Sequence, residues 1–260
     1  MGIVNVSPDS FAGDGECSTE RAVLKAVRMV EEGADSIDVG GESTRPGSAP
    51  IPLEEEMARV IPAIREICRL VSVPVSIDTY KYEIAAAALD AGASIINDIW
   101  GLKHDARLAD LATARGAAMI LMANQRDVSP CHNVEFADIV QVVIQNLSIA
   151  IATAMERGVP AERIIVDPGI GFGKTQPQNL VLMNRLAEVK ALGYPLLVGT
   201  SRKSVLGYVL NLPASERLEA TAATVALAID RGADIVRVHD VEQMLRVCRI
   251  TDAIVRGSQP

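Results

Sequence analysis

Aromatic side chains are scarce in this 260-residue chain: three Phe, four Tyr and one Trp make up 3% of it. With 49% of residues apolar, the core must be aliphatic, and runs of Val, Ile, Leu and Ala suit strands buried on both faces. Positive charge is also short, 25 Lys and Arg against 33 Asp and Glu, for a net charge of -8. That balance excludes a nucleic-acid partner gripped through a broad basic surface, so any anion site must be local. The four cysteines (Cys17, Cys68, Cys131, Cys248) include no C-x-x-C pair, and Cys131 beside His132 lacks the further ligands of a zinc site. Reduced thiols of a cytoplasmic protein are the expectation. No window approaches the roughly 20 apolar residues of a membrane span. Neither a basic segment nor a long apolar stretch leads into GIVNV, so no signal peptide is expected.

What the chain does have is a repeat. β-Branched runs alternate with helix-compatible stretches: GIVNV from Gly2, DSIDV from Asp35, VPVSI from Val73, SIIND from Ser94, AAMILM from Ala117, RIIVD from Arg163, PLLVG from Pro195 and DIVRV from Asp234. Eight such units in a chain of about 250 residues predict an α/β fold, a single-domain parallel (β/α)8 barrel over residues 1–260. Glycine stands before six of these strands, at Gly33, Gly92, Gly116, Gly158, Gly193 and Gly232, as a left-handed residue just past a helix end requires. After the fifth run, Ile139, Val140, Val143, Ile144, Leu147, Ile151 and Met155 recur at helical spacing, predicting an apolar stripe against the strands. A doubly wound sheet is disfavoured because no G-x-G-x-x-G follows the first strand.

In such a barrel the chemistry lies at the C-terminal strand ends, and those ends are polar here. Strand one ends at Asn5, strand two leads into GGESTRPG, strand three ends at Asp78 and strand four at Asn97 and Asp98. Strand six ends at Asp167 in DPGIGFGKT, strand seven leads into GTSRKS, and strand eight ends at Arg237 and His239. Asp78, Asn97 and Asp167 suit a flat, amide-rich heterocycle, since a carboxylate pairs two-pronged with an amidine-like edge. Arg45, Lys203, Arg237 and His239, with Asn5, suit a polyanion such as pyrophosphate. Plainer readings stand beside these. Asp167 before Pro168 also reads as a loop cap. GFGKT lacks the spacing of a phosphate-binding loop, leaving Lys174 a loop residue. Glu54, Glu55 and Glu56 read as the first turn of a helix, Asp38 as an internal hydrogen-bonding residue of strand two, and His104 and His132 as surface loop residues.

Seven segments in order resemble the dihydropteroate synthase family: GIVNVSPDSF, DVGGESTRPGS, SIDTYK, INDIWG, DPGIGFGKT, GTSRKS and RVHDV, together spanning nearly the whole chain. The resemblance implies condensation of a dihydropterin pyrophosphate with p-aminobenzoate in folate biosynthesis, the step that sulfonamides block. It implies a pterin set of Asp78, Asn97, Met122, Asp167, Lys203 and Arg237, and a pyrophosphate set of Asn5, Thr44, Arg45, Arg237 and His239. Phe11, Thr44, Pro46, Phe172, Lys203 and Ser204 would form the p-aminobenzoate subsite. Asp167, Lys203, Arg237 and His239 would be the catalytic residues, Asn5 the direct contact to Mg²⁺, and the assembly a homodimer. Two departures stand out: Ser7 replaces a usual threonine, and Ala123 follows Leu121 and Met122 where the family commonly has histidine. A pterin-dependent methyltransferase would share Asp78, Asn97 and Asp167 but has no use for STRPG, SRKS and RVHD. A catalytically silent pterin-binding paralogue is the alternative of a different class.

Overall fold

A computed structural model describes residues 1–6, 18–43 and 49–257. Its strands are β1 (Gly2–Asn5), β2 (Ile37–Gly40), β3 (Val75–Asp78), β4 (Ile95–Asp98), β5 (Ala118–Met122), β6 (Ile164–Asp167), β7 (Leu197–Val198) and β8 (Ile235–Val236). The first five are each followed by one helix: α1 (Thr19–Glu31), α2 (Leu53–Leu70), α3 (Tyr82–Asp90), α4 (Arg107–Arg115) and α5 (Ile139–Glu156). Two helices follow β6, α6 (Gln176–Asn184) and α7 (Leu186–Lys190); α8 (Ser204–Leu210) and α9 (Leu218–Asp230) follow β7; α10 (Val241–Val255) follows β8. Every strand coincides with its β-branched run, β2 and β3 each extending one residue past it to Gly40 and Asp78. The ladders differ from the expected ring. β1 to β6 form one parallel sheet in sequence order, and β7 and β8 form a separate parallel pair. Only single bridges connect the two, Val166 with Leu196 and Gly2 with Val238. The physical reason is length: β7 and β8 hold two ladder residues each before their polar ends turn away to other partners.

The two-residue period of the strands sorts their side chains. Ile37, Val39, Ile77, Ile96, Met119, Leu121, Ile164 and Val166 are fully buried in the layers against the helices. On the opposite face Met1, Ile120 and Leu197 pack with Ile95, Ile165 and Ile235, one apolar cluster drawing on strands of both sheets. Above that apolar floor the same face carries Asp38, Ser76, Asp78, Asn97, Asp167 and Arg237. The site therefore rests on a dry, aliphatic base, which holds polar side chains above it without offering competing hydrogen bonds.

The helices start where local chemistry fixes them. Ser18 and Asp138 accept backbone hydrogen bonds as N-caps of α1 and α5. Thr175 and Gln178 cap α6 reciprocally. All six predicted junction glycines have positive φ. In α5, Ile139, Val140, Val143, Leu147 and Ile151 are buried, whereas Met155 is exposed because Ala150 and Ala154 complete the stripe instead. By length and composition α5 is long and apolar enough to cross a membrane, against the expectation that no window came close. Its stripe belongs to the main aliphatic core beside β5 and β6.

Candidate active site at the strand ends

Register places the polar strand ends side by side. Asn5 pairs with Gly40, Gly40 with Asp78, Asp78 with Asn97, and Met122 with Asp167. Asp98, next along β4, points to the helix side, where its carboxylate accepts from the backbone N–H of Trp100 at 2.9 Å and Leu102 at 2.6 Å. Burial pushes it up to about 6, with those two N–H groups opposing. Asp98 is thus a loop cap, unlike its neighbour Asn97.

At the centre is a web of buried charge. Arg237 donates from Nε to Asp38 Oδ2 at 2.6 Å and from Nη2 to Asp78 Oδ2 at 2.9 Å. Asp38 is wholly buried and also accepts from Ser76 Oγ at 2.6 Å and Asn97 Nδ2 at 3.2 Å. Burial drives Asp78 up to about 7; Arg237 opposes this, while Asp38, Glu56 and Asp98 add to it. For Arg237 burial works against the cation, and Asp38 and Asp78 more than offset that, leaving it raised. A planar fork held between two carboxylates in a confined space is what arginine, and not lysine, can satisfy.

The loop after β6 forms the opposite wall. Asp167 caps its own turn through Oδ1, accepting from Gly169 N at 2.7 Å. Burial raises its pKa, with Lys203 the main opposing charge. Lys203, at the start of α8, donates to Ile170 O at 2.6 Å, and burial lowers it to about 8. Phe172 lies beside two cations: Lys203 Nζ is 4.9 Å and Arg126 Cζ 4.4 Å from its ring centre. Phe172 also clusters with Met122 and Ile99, with Tyr80 and Trp100 packed against them, a flat apolar patch suited to a ring system.

The profile of the pterin binding enzyme family matches residues 1–239. The chain belongs to the pterin-binding enzyme family. It is 48% identical to a dihydropteroate synthase of Bacillus subtilis, over 98% of this chain and 88% of that one. Among solved structures, a dihydropteroate synthase of Clostridium difficile crystallised in the presence of pteroic acid superposes with a TM-score of 0.91 at 46% identity, covering 98% and 96% of the two chains. A sulfonamide complex of the Yersinia pestis synthase gives a TM-score of 0.93 at 36% identity, covering 99% and 94%.

Within this pterin-binding enzyme the expected residues come together unevenly. Asp78, Asn97, Met122, Asp167, Phe172, Lys203 and Arg237 converge as described. His239 follows Val238, which bridges to Gly2 at the start of β1, so this stretch runs alongside β1. Its Nδ1 lies 2.9 Å from Ser201 Oγ, which orients the ring. Ser204 Oγ accepts from Gln176 Nε2 at 3.3 Å. Phe11, Thr44, Arg45 and Pro46, like Ser7 and Cys17, lie outside the described residues. His104 is exposed as expected and lies against Tyr80 with the two ring planes inclined at 58°, whereas His132 is half-buried.

Sequence reasoning missed three features. Asp38 was legible as an internal hydrogen-bonding residue, but not as the partner of Arg237. Lys174 is fully buried and donates to Ala123 O at 2.9 Å, Gly169 O at 2.8 Å and Phe172 O at 3.1 Å, which makes it more than a loop residue. Glu56 starts α2 as expected, yet it is buried and accepts from Lys81 Nζ at 2.6 Å and Thr79 Oγ1 at 2.9 Å. Lys81 also reaches Glu42 at 2.8 Å, tying the end of β2 to the loop after β3.

Proposed function

We infer that the chain catalyses the dihydropteroate synthase reaction: 6-hydroxymethyl-7,8-dihydropterin pyrophosphate and p-aminobenzoate give 7,8-dihydropteroate and pyrophosphate. The observation that carries this is Arg237 bridging Asp38 and Asp78 beside Asn97, at the strand ends of a chain so close to known synthases. A methyltransferase reading does not use the cations of strands seven and eight, and a silent paralogue would not retain this whole cluster. The apolar cluster shared by both sheets and the two single bridges support a complete eight-stranded barrel forming one domain.

Asp78, Asn97, Asp167 and Lys203 bind the pterin's hydrogen-bonding edges, and Met122 and Phe172 pack against its ring. Arg237, held flat by its two carboxylates, stacks near that ring and faces the diphosphate with His239, Asn5, Arg45 and Thr44. Phe172, Lys203 and Ser204 border the p-aminobenzoate, together with Phe11, Thr44 and Pro46. The arylamine is neutral at pH 7, so no strong general base is required. The barrier is cleavage of the carbon–oxygen bond to pyrophosphate. Cations fixed near the leaving group lower it, each such group typically contributing about 3–4 kcal/mol. The Asp167 carboxylate stabilises positive character on the pterin as that bond breaks.

Magnesium fits one side chain here. The Asn5 amide, half-buried at the end of β1, makes no hydrogen bond among the described residues, and its carbonyl is a hard oxygen donor. No group of three or more His, Cys, Asp or Glu among the described residues could hold an ion by itself. One protein oxygen with diphosphate and water as the remaining ligands is a usual Mg²⁺ arrangement. When bound, the ion neutralises charge on the leaving pyrophosphate. A homodimer is supported by apolar side chains exposed on α8, α9 and α10, among them Tyr208, Val209, Leu227, Ile250 and Ile254.

Two results follow. A sulfonamide should inhibit product formation competitively against p-aminobenzoate and not against the pterin; inhibition insensitive to p-aminobenzoate would contradict the subsite. The pH profile of kcat/KM should be a narrow bell. Below about 7, Asp78 takes up a proton and loses its charge toward Arg237 and the pterin. Above about 8, Lys203 loses its proton. Stopped assays from pH 5 to 10 check both limbs, and a flat profile across that range would contradict the roles given to these two groups.

A further inference from the structure

We propose that Asp38 is a positioning residue: it fixes which side of the Asn97 amide meets the pterin and holds the Arg237 guanidinium in its working place. The inference rests on the synthase reading above. Asp38 lies on β2, wholly buried, and joins groups on three other strands: Ser76 on β3, Asn97 on β4 and Arg237 at the end of β8. Its two oxygens are divided between them. Oδ1 accepts from the Ser76 hydroxyl, which sets the rotation of the carboxylate. Oδ2 accepts from both Asn97 Nδ2 and Arg237 Nε.

A carboxylate can only accept hydrogen bonds. Asn97 must therefore turn its NH₂ toward Asp38 and its Oδ1 away, so that it offers the ligand an acceptor. An asparagine without such a partner could present either end of its amide. Arg237 is constrained by the same oxygen: with Nε tied to Asp38 and Nη2 to Asp78, its plane has little freedom to rotate. Asp38 thus acts through Asn97 and Arg237 and touches no substrate itself.

Asp38→Asn changes almost no volume but replaces one acceptor oxygen with an NH₂, so Asn97 is free to reverse and Arg237 loses one of its two charged partners. Steady-state kinetics with both substrates is expected to show kcat/KM for the pterin pyrophosphate at least about 100-fold lower, with KM for p-aminobenzoate within about threefold of wild type. The acid limb of the pH profile should move to lower pH. Arg237, just past β8, draws the Asp78 pKa down, while Asp38 on β2 and, from the helix side, Glu56 on α2 and Asp98 on β4 push it up; the substitution removes one of these three negative charges. A residue needed only for folding would shift neither the limb nor the split between the two substrates. Ser76→Ala, which frees the carboxylate to rotate, should raise KM for the pterin substrate about threefold to tenfold and leave p-aminobenzoate unaffected. Wild-type kinetics in folded D38N would overturn the proposal. Should D38N fail to fold, an unchanged pterin KM in S76A would overturn it. Wild-type enzyme in the same assay separates the two readings, because its inactivity would count against the synthase function itself.

Discussion

Arg237→Lys is expected to lower kcat/KM by at least about 100-fold while the protein remains folded. The site has one buried and one partly buried carboxylate, and the guanidinium serves them from different nitrogens, Nε at 2.6 Å to Asp38 and Nη2 at 2.9 Å to Asp78. A lysine ammonium keeps the positive charge but is a single point on a flexible stem. It can approach one carboxylate or sit between them, yet it cannot present a flat face to the pterin while doing so. Retaining the charge avoids leaving Asp38 and Asp78 uncompensated, a loss that would cost about 3–5 kcal/mol of stability and confuse the measurement. Kinetics with both substrates, alongside a thermal melt, checks this. Activity within about threefold of wild type would show that charge alone is required, and the stacking role would fall.

Lys174→Met should destabilise the fold by at least about 3 kcal/mol, read as a fall of roughly 6–12 °C in Tm. Gly169, Gly171 and Gly173 all have positive φ, and the loop they shape turns the carbonyls of Gly169 and Phe172 inward toward that of Ala123. The Lys174 ammonium is the hub that satisfies all three. Burial holds its pKa well below the usual lysine value, with Asp167 opposing. Methionine fills the space but donates nothing, leaving three buried carbonyls without that partner. Asp167 and Phe172 sit at the two ends of this loop, so kcat/KM should fall with stability. An unchanged Tm would contradict the hub role.

These two residues show what the sequence could and could not reveal. Arg237 was legible because it ends a strand in a motif-rich chain, and strand ends of this architecture gather ligand-binding groups. Its partnership with Asp38 was not, since the two are 199 positions apart and meet only where Val238, just past β8, bridges to Gly2 of β1, the neighbour of β2. Lys174 looked like a fragment of a phosphate loop of the wrong spacing. The better signal was the glycine at every second position before it, which turns carbonyls to one side and leaves them in need of a cation. Strand positions were legible from β-branched runs and junction glycines, but ladder lengths were not. β7 and β8 read as five-residue strands and pair over two residues each, since pairing depends on neighbours distant in sequence. Asn97 and Asp98 both end β4, and only Asn97 was assigned to the heterocycle; the strand's two-residue period sends the pair to opposite faces, leaving Asp98 to cap the loop.

Synthase activity is tested most directly by pyrophosphate release from the purified protein with the dihydropterin pyrophosphate and Mg²⁺, with and without p-aminobenzoate. Release is expected to require both substrates and to match dihydropteroate formed one for one. Release that ignores p-aminobenzoate, or none at all from folded protein, would contradict that activity.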